Sequence, residues 1–196
     1  MSSSALAEHY TSTGLNSRKM LFWTFLGSEC MFFGSLISTY LVYKNHSLTG
    51  PLPREVLNIP LTSISAFVLL MSSLTMVLAL AAVQRDRIGA AKVWLLATAC
   101  LGMIFIGNQI YEFTHFVTHE HLTLQRNLFG ASFFVLTGFH GAHVTVGVIW
   151  LLSLLVMAHS GKLSSKNSLD VEIAGLYWHF VDIVWIAIFT LIYLIQ

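Results

Sequence analysis

Charge is scarce in this sequence: 10% of its 196 residues are Asp, Glu, Lys or Arg, where a soluble domain carries about 25%. That excludes an ordinary water-facing surface. The net charge of +1 leaves no basic face for a nucleic acid and no long-range steering field. Cysteine is nearly absent. Cys30 and Cys100 both fall inside apolar runs and are read as small packing residues, without a disulfide or a metal site. Proline is confined to Pro51, Pro53 and Pro60, so no proline kink is expected in the body of a helix. Residues 1–18 are polar and rich in Ser and Thr. They lack a basic stretch followed by an apolar core, so they are read as a mobile surface tail without a cleaved leader. There is no internal repeat and no low-complexity segment.

What the chain has is apolar length. It is 56% hydrophobic, with a mean hydropathy of +0.73. Five runs near 20–43, 61–83, 91–113, 129–157 and 173–195 each reach the ~20 residues needed to cross a hydrocarbon core. None alternates with period two, so they read as helices and not as barrel strands. The expectation is an all-α integral membrane bundle of five transmembrane helices over residues 19–196. Arg18, Lys19, Arg85, Arg87, Lys92, Lys162 and Lys166 flank one side, against Lys44, Arg54 and Arg126 on the other. The positive-inside rule then puts the N-terminus in the cytoplasm and the C-terminus outside.

Five apolar helices would be unremarkable without the polar residues inside them. The last run carries Gly175, Trp178, His179, Asp182, Trp185, Phe189 and Tyr193 within one broad stripe of a helix. A charged group at bilayer depth costs about 2.5–3.5 kcal/mol on insertion scales, so it should face protein and find a partner. Glu29 lies mid-run among Phe22, Phe25, Phe32, Phe33 and Leu36. There a carboxyl either serves as a proton-active group or stays protonated against a neighbouring helix. Asn108, Gln109, Glu112 and His115 share one face near the outer boundary. Glu112 and His115 also have the spacing of half a di-metal carboxylate motif. His140 and His143 sit one turn apart, and Gly138, Gly141 and Gly147 suggest close helix approach. Thr62, Ser65, Ser72, Ser73 and Thr75 read as packing positions of the second helix. Depth and face together suggest one hydrogen-bonded cluster of Glu29, His143, His179 and Asp182.

Four stretches, in order along the chain, carry a resemblance. They are Gly27-Ser-Glu-Cys-Met-Phe-Phe33, Gln109-Ile-Tyr-Glu-Phe113, Thr137-Gly-Phe-His-Gly-Ala-His-Val144 and Tyr177-Trp-His-Phe-Val-Asp-Ile-Val-Trp185. From about Met20 onward the sequence resembles subunit III of the haem–copper oxidases, most closely the cytochrome c oxidase branch. The resemblance implies a subunit without catalytic residues or a redox centre of its own, the haems and copper belonging to subunits I and II. It implies packing against subunit I, contact with subunit II and other oxidase subunits, bound phospholipid, support of proton uptake, and a bacterial inner membrane. Glu29, Gln109, Glu112, His140, His143, Trp178, His179, Asp182 and Trp185 match family motif positions. The commoner long form has two further N-terminal helices enclosing a lipid-filled cleft; the resemblance starts at the third helix of that form and implies a short five-helix subunit in which lipid or a neighbouring subunit covers that side. A quinol oxidase subunit III is the alternative. A stand-alone redox enzyme using His140, His143, Glu112 and His115, or a small transporter built on Glu29 and Asp182, are readings of other classes.

Overall fold

A computed structural model describes residues 16–44, 59–119 and 128–195. The first fifteen residues of the expected tail, together with Pro51, Pro53, Arg54 and Arg126, lie outside the described residues. Five long helices run antiparallel in chain order: α1 Ser17–Tyr43, α2 Ile59–Gln84, α3 Ile88–Thr118, α4 Leu128–His159 and α5 Ser168–Phe189. All five are long and apolar enough to cross a membrane. α3 runs five residues past its expected end, and α5 begins five residues early. A π-helical turn, Thr190–Leu194, extends α5. Pro60 lies in the first turn of α2, where a missing N–H breaks no intrahelical bond.

The tight turns on one face of the bundle show why helices stop there. At the end of α2, Arg87 N donates to Ala82 O and Asp86 N to Val83 O, both at 2.9 Å. At the end of α4, Lys162 N donates to Met157 O at 3.1 Å and Gly161 N to Ala158 O at 3.4 Å. Both are Schellman closures, which need a left-handed residue. Gly161 supplies it at φ 70°, and Asp86 at φ 56°. The Asp86 carboxylate accepts from Ser165 N at 3.2 Å and so ties the two turns together.

α2 packs along α3, α3 along α4, and α5 lies against both α2 and α4, while α1 meets chiefly α4 and α5. Trp178 of α5 is the centre of this arrangement. Its indole is buried, its Nε1 donates to Ser72 Oγ of α2 at 2.8 Å, and its ring fills the space left by two glycines. A Cβ on Gly102 of α3 would lie 2.6 Å from Trp178 Cη2, and one on Gly147 of α4 would lie 2.8 Å from Cζ3. Gly141 is equally tight against Gln109, whereas a Cβ on Gly138 meets nothing within 4 Å. The expected close approach therefore holds at Gly141 and Gly147 and fails at Gly138, which faces outward.

Large apolar side chains line the outside: Leu21, Met31, Ile64, Phe67, Val93, Val156 and Ile183 are all more than half exposed. That suits a lipid solvent, where bundles are held by packing and interhelical hydrogen bonds. Cys30 and Cys100 are free and exposed on this surface. They fill no interior space, which corrects the packing role expected of them; apolar context in a lipid-embedded helix does not distinguish inside from outside.

α1 is fastened at both ends. Arg18 pairs with Asp170 at 3.3 Å, and Lys19 pairs with Glu172. At the far end the Lys44 ammonium donates to Ile195 O at 2.9 Å. Gly102→Ala is expected to lower stability by about 1–3 kcal/mol through overpacking against Trp178, while Gly138→Ala should be neutral. Thermal unfolding in detergent checks both, and equal midpoints for the two variants would contradict the slot.

Candidate functional site

The acids and imidazoles inside the bundle fall into separate groups, each set by a different pair of helices. Glu29 of α1 faces His143 of α4, with 3.2 Å between Oε2 and Nε2. The other ring nitrogen, Nδ1, lies 2.7 Å from the carbonyl of Phe139. A carbonyl only accepts, so Nδ1 carries hydrogen, and Nε2 and the carboxyl share a single proton between them. Either the acid donates to a neutral ring, or an imidazolium donates to a carboxylate. Both residues keep 19% of their side-chain surface exposed. Phe33 packs edge-on to His143 at 5.0 Å.

The second group is built on Ser73 of α2. Its hydroxyl lies 2.9 Å from His179 Nδ1 and donates to Asp182 Oδ2. Asp182 is buried, and its Oδ1 has no partner among the described residues. His179 and Asp182 thus meet through Ser73. The single cluster of four expected from depth and face is not formed: Glu29 and His143 make one pair, and His179 and Asp182 belong to another. Depth along a helix constrains only one coordinate, and α1 reaches α4 at a point where α5 presents Phe180 to Phe33 instead.

The third group lies near the opposite end of α2. Glu112 Oε1 accepts from Thr62 Oγ1 at 2.9 Å and from the Tyr193 hydroxyl at 3.1 Å. The π-helical turn places Tyr193 there. Next to it, Asn108 donates to Ser65 Oγ at 3.0 Å, and Gln109 Nε2 donates to Thr137 O at 2.6 Å. His115 does not join them. It is exposed and stacks on His119, ring centres 4.8 Å apart.

His140 is fully buried in an aromatic slot. Its ring stacks on Trp185 at 5.0 Å and meets the edges of Phe105 and Phe33 at 5.8 and 6.5 Å. Neither of its nitrogens, nor Trp185 Nε1, has a partner among the described residues. This arrangement does not suit a haem or copper ligand. His140 is walled in by rings, both His143 nitrogens are engaged, and Glu112 is held by Thr62 and Tyr193. Among the described residues no three metal-ligating side chains converge, so His140, His143, Glu112 and His115 form no common site. Thr62 and Ser73, expected only as packing positions, and Tyr193, expected only as part of the α5 stripe, each donate to a buried acid. The signal was present: a run of hydroxyls along α2 opposite helices that each carry an acid.

Fold and contacts together define a multi-pass helical membrane protein whose intramembrane acids join one helix to another. A family model described as "Cytochrome c oxidase subunit III" matches residues 3–196. Curated relatives span nearly the whole chain. "Quinol oxidase subunit 3" of Bacillus subtilis is 40% identical over 193 residues, 98% of this chain and 93% of the relative. "Cytochrome c oxidase subunit 3" of the same organism is 38% identical over 191 residues, 97% and 91%. "Cytochrome bo(3) ubiquinol oxidase subunit 3" of Pseudomonas aeruginosa is 38% identical over 173 residues, 88% and 82%. The chain belongs to the cytochrome c oxidase subunit III family and is the third subunit of a haem–copper oxidase.

Ser73→Ala is expected to destabilise the bundle by about 1–3 kcal/mol, the cost of leaving a buried polar partner unanswered. Asp182→Ala should be as harmful, because it strands Ser73 and His179, whereas Asp182→Asn keeps an acceptor and should be milder. Thermal midpoints of the purified complex measure this. Wild-type stability in both Ser73→Ala and Asp182→Ala would contradict the bridge.

Proposed function

We propose that this subunit braces the oxygen-reducing subunit I of its complex and carries no haem or copper itself, these belonging to subunits I and II. The carrying observation is the arrangement of polar groups. Each buried acid is answered by a side chain of this same bundle, while the outer surface is a wall of apolar side chains. Such a surface suits contact with subunit I, with subunit II and other oxidase subunits, and with phospholipid. The reading places the protein in a bacterial inner membrane, N-terminus in the cytoplasm, as the distribution of Lys and Arg suggests. The complex would couple oxygen reduction to proton translocation in aerobic electron transport.

Within that role Glu29 and His143 are the pair best placed to exchange a proton. They share one proton, sit half-buried, and join the most loosely packed helix to the rest. Glu29→Gln should preserve assembly, since an amide keeps the size and can donate to His143 Nε2. It should shorten the life of the enzyme under sustained turnover. Oxygen consumption followed over many turnovers checks this, and an unchanged decay rate would count against a proton role.

Two electron donors fit the family. Gln109, Glu112 and the run Phe139-His140-Gly141 lean towards cytochrome c, while relatives named for quinol and for cytochrome c oxidases are almost equally similar. Purifying the complex through a tag on this chain decides several points at once. Haem absorption from partner subunits is expected, with none after this subunit is separated. Oxygen uptake with reduced cytochrome c, compared with a soluble quinol, identifies the donor.

A further inference from the structure

Between α1 and α5, tied to each other at both ends, lies an open groove of about 520 Å³. Its walls include Trp23, Cys30, Phe33, Phe180 and Ile183, and the one titratable nitrogen base on them is His179. Gly27 and Gly34 form part of the α1 wall, and a Cβ on either would meet nothing within 4 Å. The groove is therefore space that the bundle itself does not fill.

His179 is held at the groove in a defined way. Its Nδ1 is tied to Ser73 Oγ, and Ser73 is tied to Asp182. Its Nε2 has no protein partner among the described residues, yet it is not among the fully enclosed unpaired atoms. With Asp182 ionised, Ser73 donates to it and accepts from Nδ1–H, so Nε2 presents a lone pair to the groove. With Asp182 protonated the donors run the other way, and Nε2 presents an N–H. The same nitrogen can meet a hydroxyl or a carbonyl.

Depth selects the occupant. The apolar run of α5 begins near Ile173, beyond the ion-paired Asp170 and Glu172, and His179 follows it by six positions, which at 1.5 Å per residue is about 9 Å. That lies inside a ~30 Å hydrocarbon core, below its interface. A phospholipid keeps its polar atoms at the interface and can offer only acyl chain at this level. A lipid that brings an oxygen into the interior, switches it between hydroxyl and carbonyl, and follows it with an apolar tail is an isoprenoid quinone. The geometry points to a binding site for an isoprenoid quinone and its hydroquinone between α1 and α5, with the ring oxygen on His179 Nε2 and the tail along Gly27 and Gly34. It is a binding proposal, and it holds whichever donor feeds the complex.

The test uses the whole complex reconstituted in lipid nanodiscs with a photoreactive azido-quinone. After illumination, label is expected on peptides covering residues 23–37 or 176–187, and both quinone and hydroquinone in excess should compete it away. Gly34→Leu, whose Cβ has open space around it on the groove wall, and His179→Phe should each reduce labelling several-fold. Gly34→Leu decides the matter alone if His179→Phe fails to assemble. Absence of label on these peptides, labelling unchanged in Gly34→Leu, or equal competition by phospholipid would overturn the proposal. So would a structure of the complex with a neighbouring subunit's helix seated in the groove.

Discussion

One indole holds four helices in register. Trp178 reaches from α5 to Ser72 of α2 while its ring lies between Gly102 of α3 and Gly147 of α4. In water such a side chain would be driven inward by burial. In lipid the surroundings are as apolar as the core, and that drive is missing. What remains is close fit and the hydrogen bond. Two glycines supply the fit, and a serine supplies an acceptor for an N–H that hydrocarbon would leave unpaired. The position of α5 is then fixed, and with it the depth and facing of His179 and Asp182 one turn further along.

The acids follow a second regularity. Glu112 and Asp182 are both answered by hydroxyls of α2, Thr62 and Ser73. Those hydroxyls are eleven residues apart, so one helix serves both halves of the membrane. Glu29 is the exception. It is answered by an imidazole of α4 and keeps some exposure. Within α2–α5 the acids Glu112 and Asp182 find their partners, and α1 stands against these helices as a strut: ion pairs at one end, a lysine on a backbone carbonyl at the other, and one shared proton between. Surface ion pairs are individually worth little. The middle contact therefore counts for more in how firmly α1 is seated.

Much of this could be read from the sequence, for identifiable reasons. Lipid demands about twenty consecutive apolar residues per span, so all five helices were visible, as were the acids that must face protein. The ends were less so. α5 begins early because Asp170 and Glu172 pair with Arg18 and Lys19, a tertiary contact that makes a polar turn helical. Partner choice was invisible. A serine in an apolar run looks the same whether it caps its own turn or bridges a histidine to an aspartate. Glu29 and Asp182 lie at comparable depth, yet the two groups stay apart, because rotation about each helix axis is set by packing that no single segment encodes. Gly138 and Gly147 differ in the same way: only the presence of Trp178 opposite one of them gives it a task.

The division between a cross-linked four-helix unit and a strut has a consequence for the proposed function. A brace for a larger complex must present a stiff face and yet adapt to its neighbours. Stiffness comes from α2–α5, where acids, hydroxyls and the indole leave little freedom to slide. Adaptation falls to α1, whose seam with α5 is open over its middle and whose firmest internal bond is a carboxyl and an imidazole sharing a proton. In the proposed role, a change in that proton, or in what occupies the seam, would act on the seating of α1 and not on the Trp178, Ser73 and Glu112 contacts of the other four helices. The part of the subunit best suited to respond to turnover is thus the helix least buried in it.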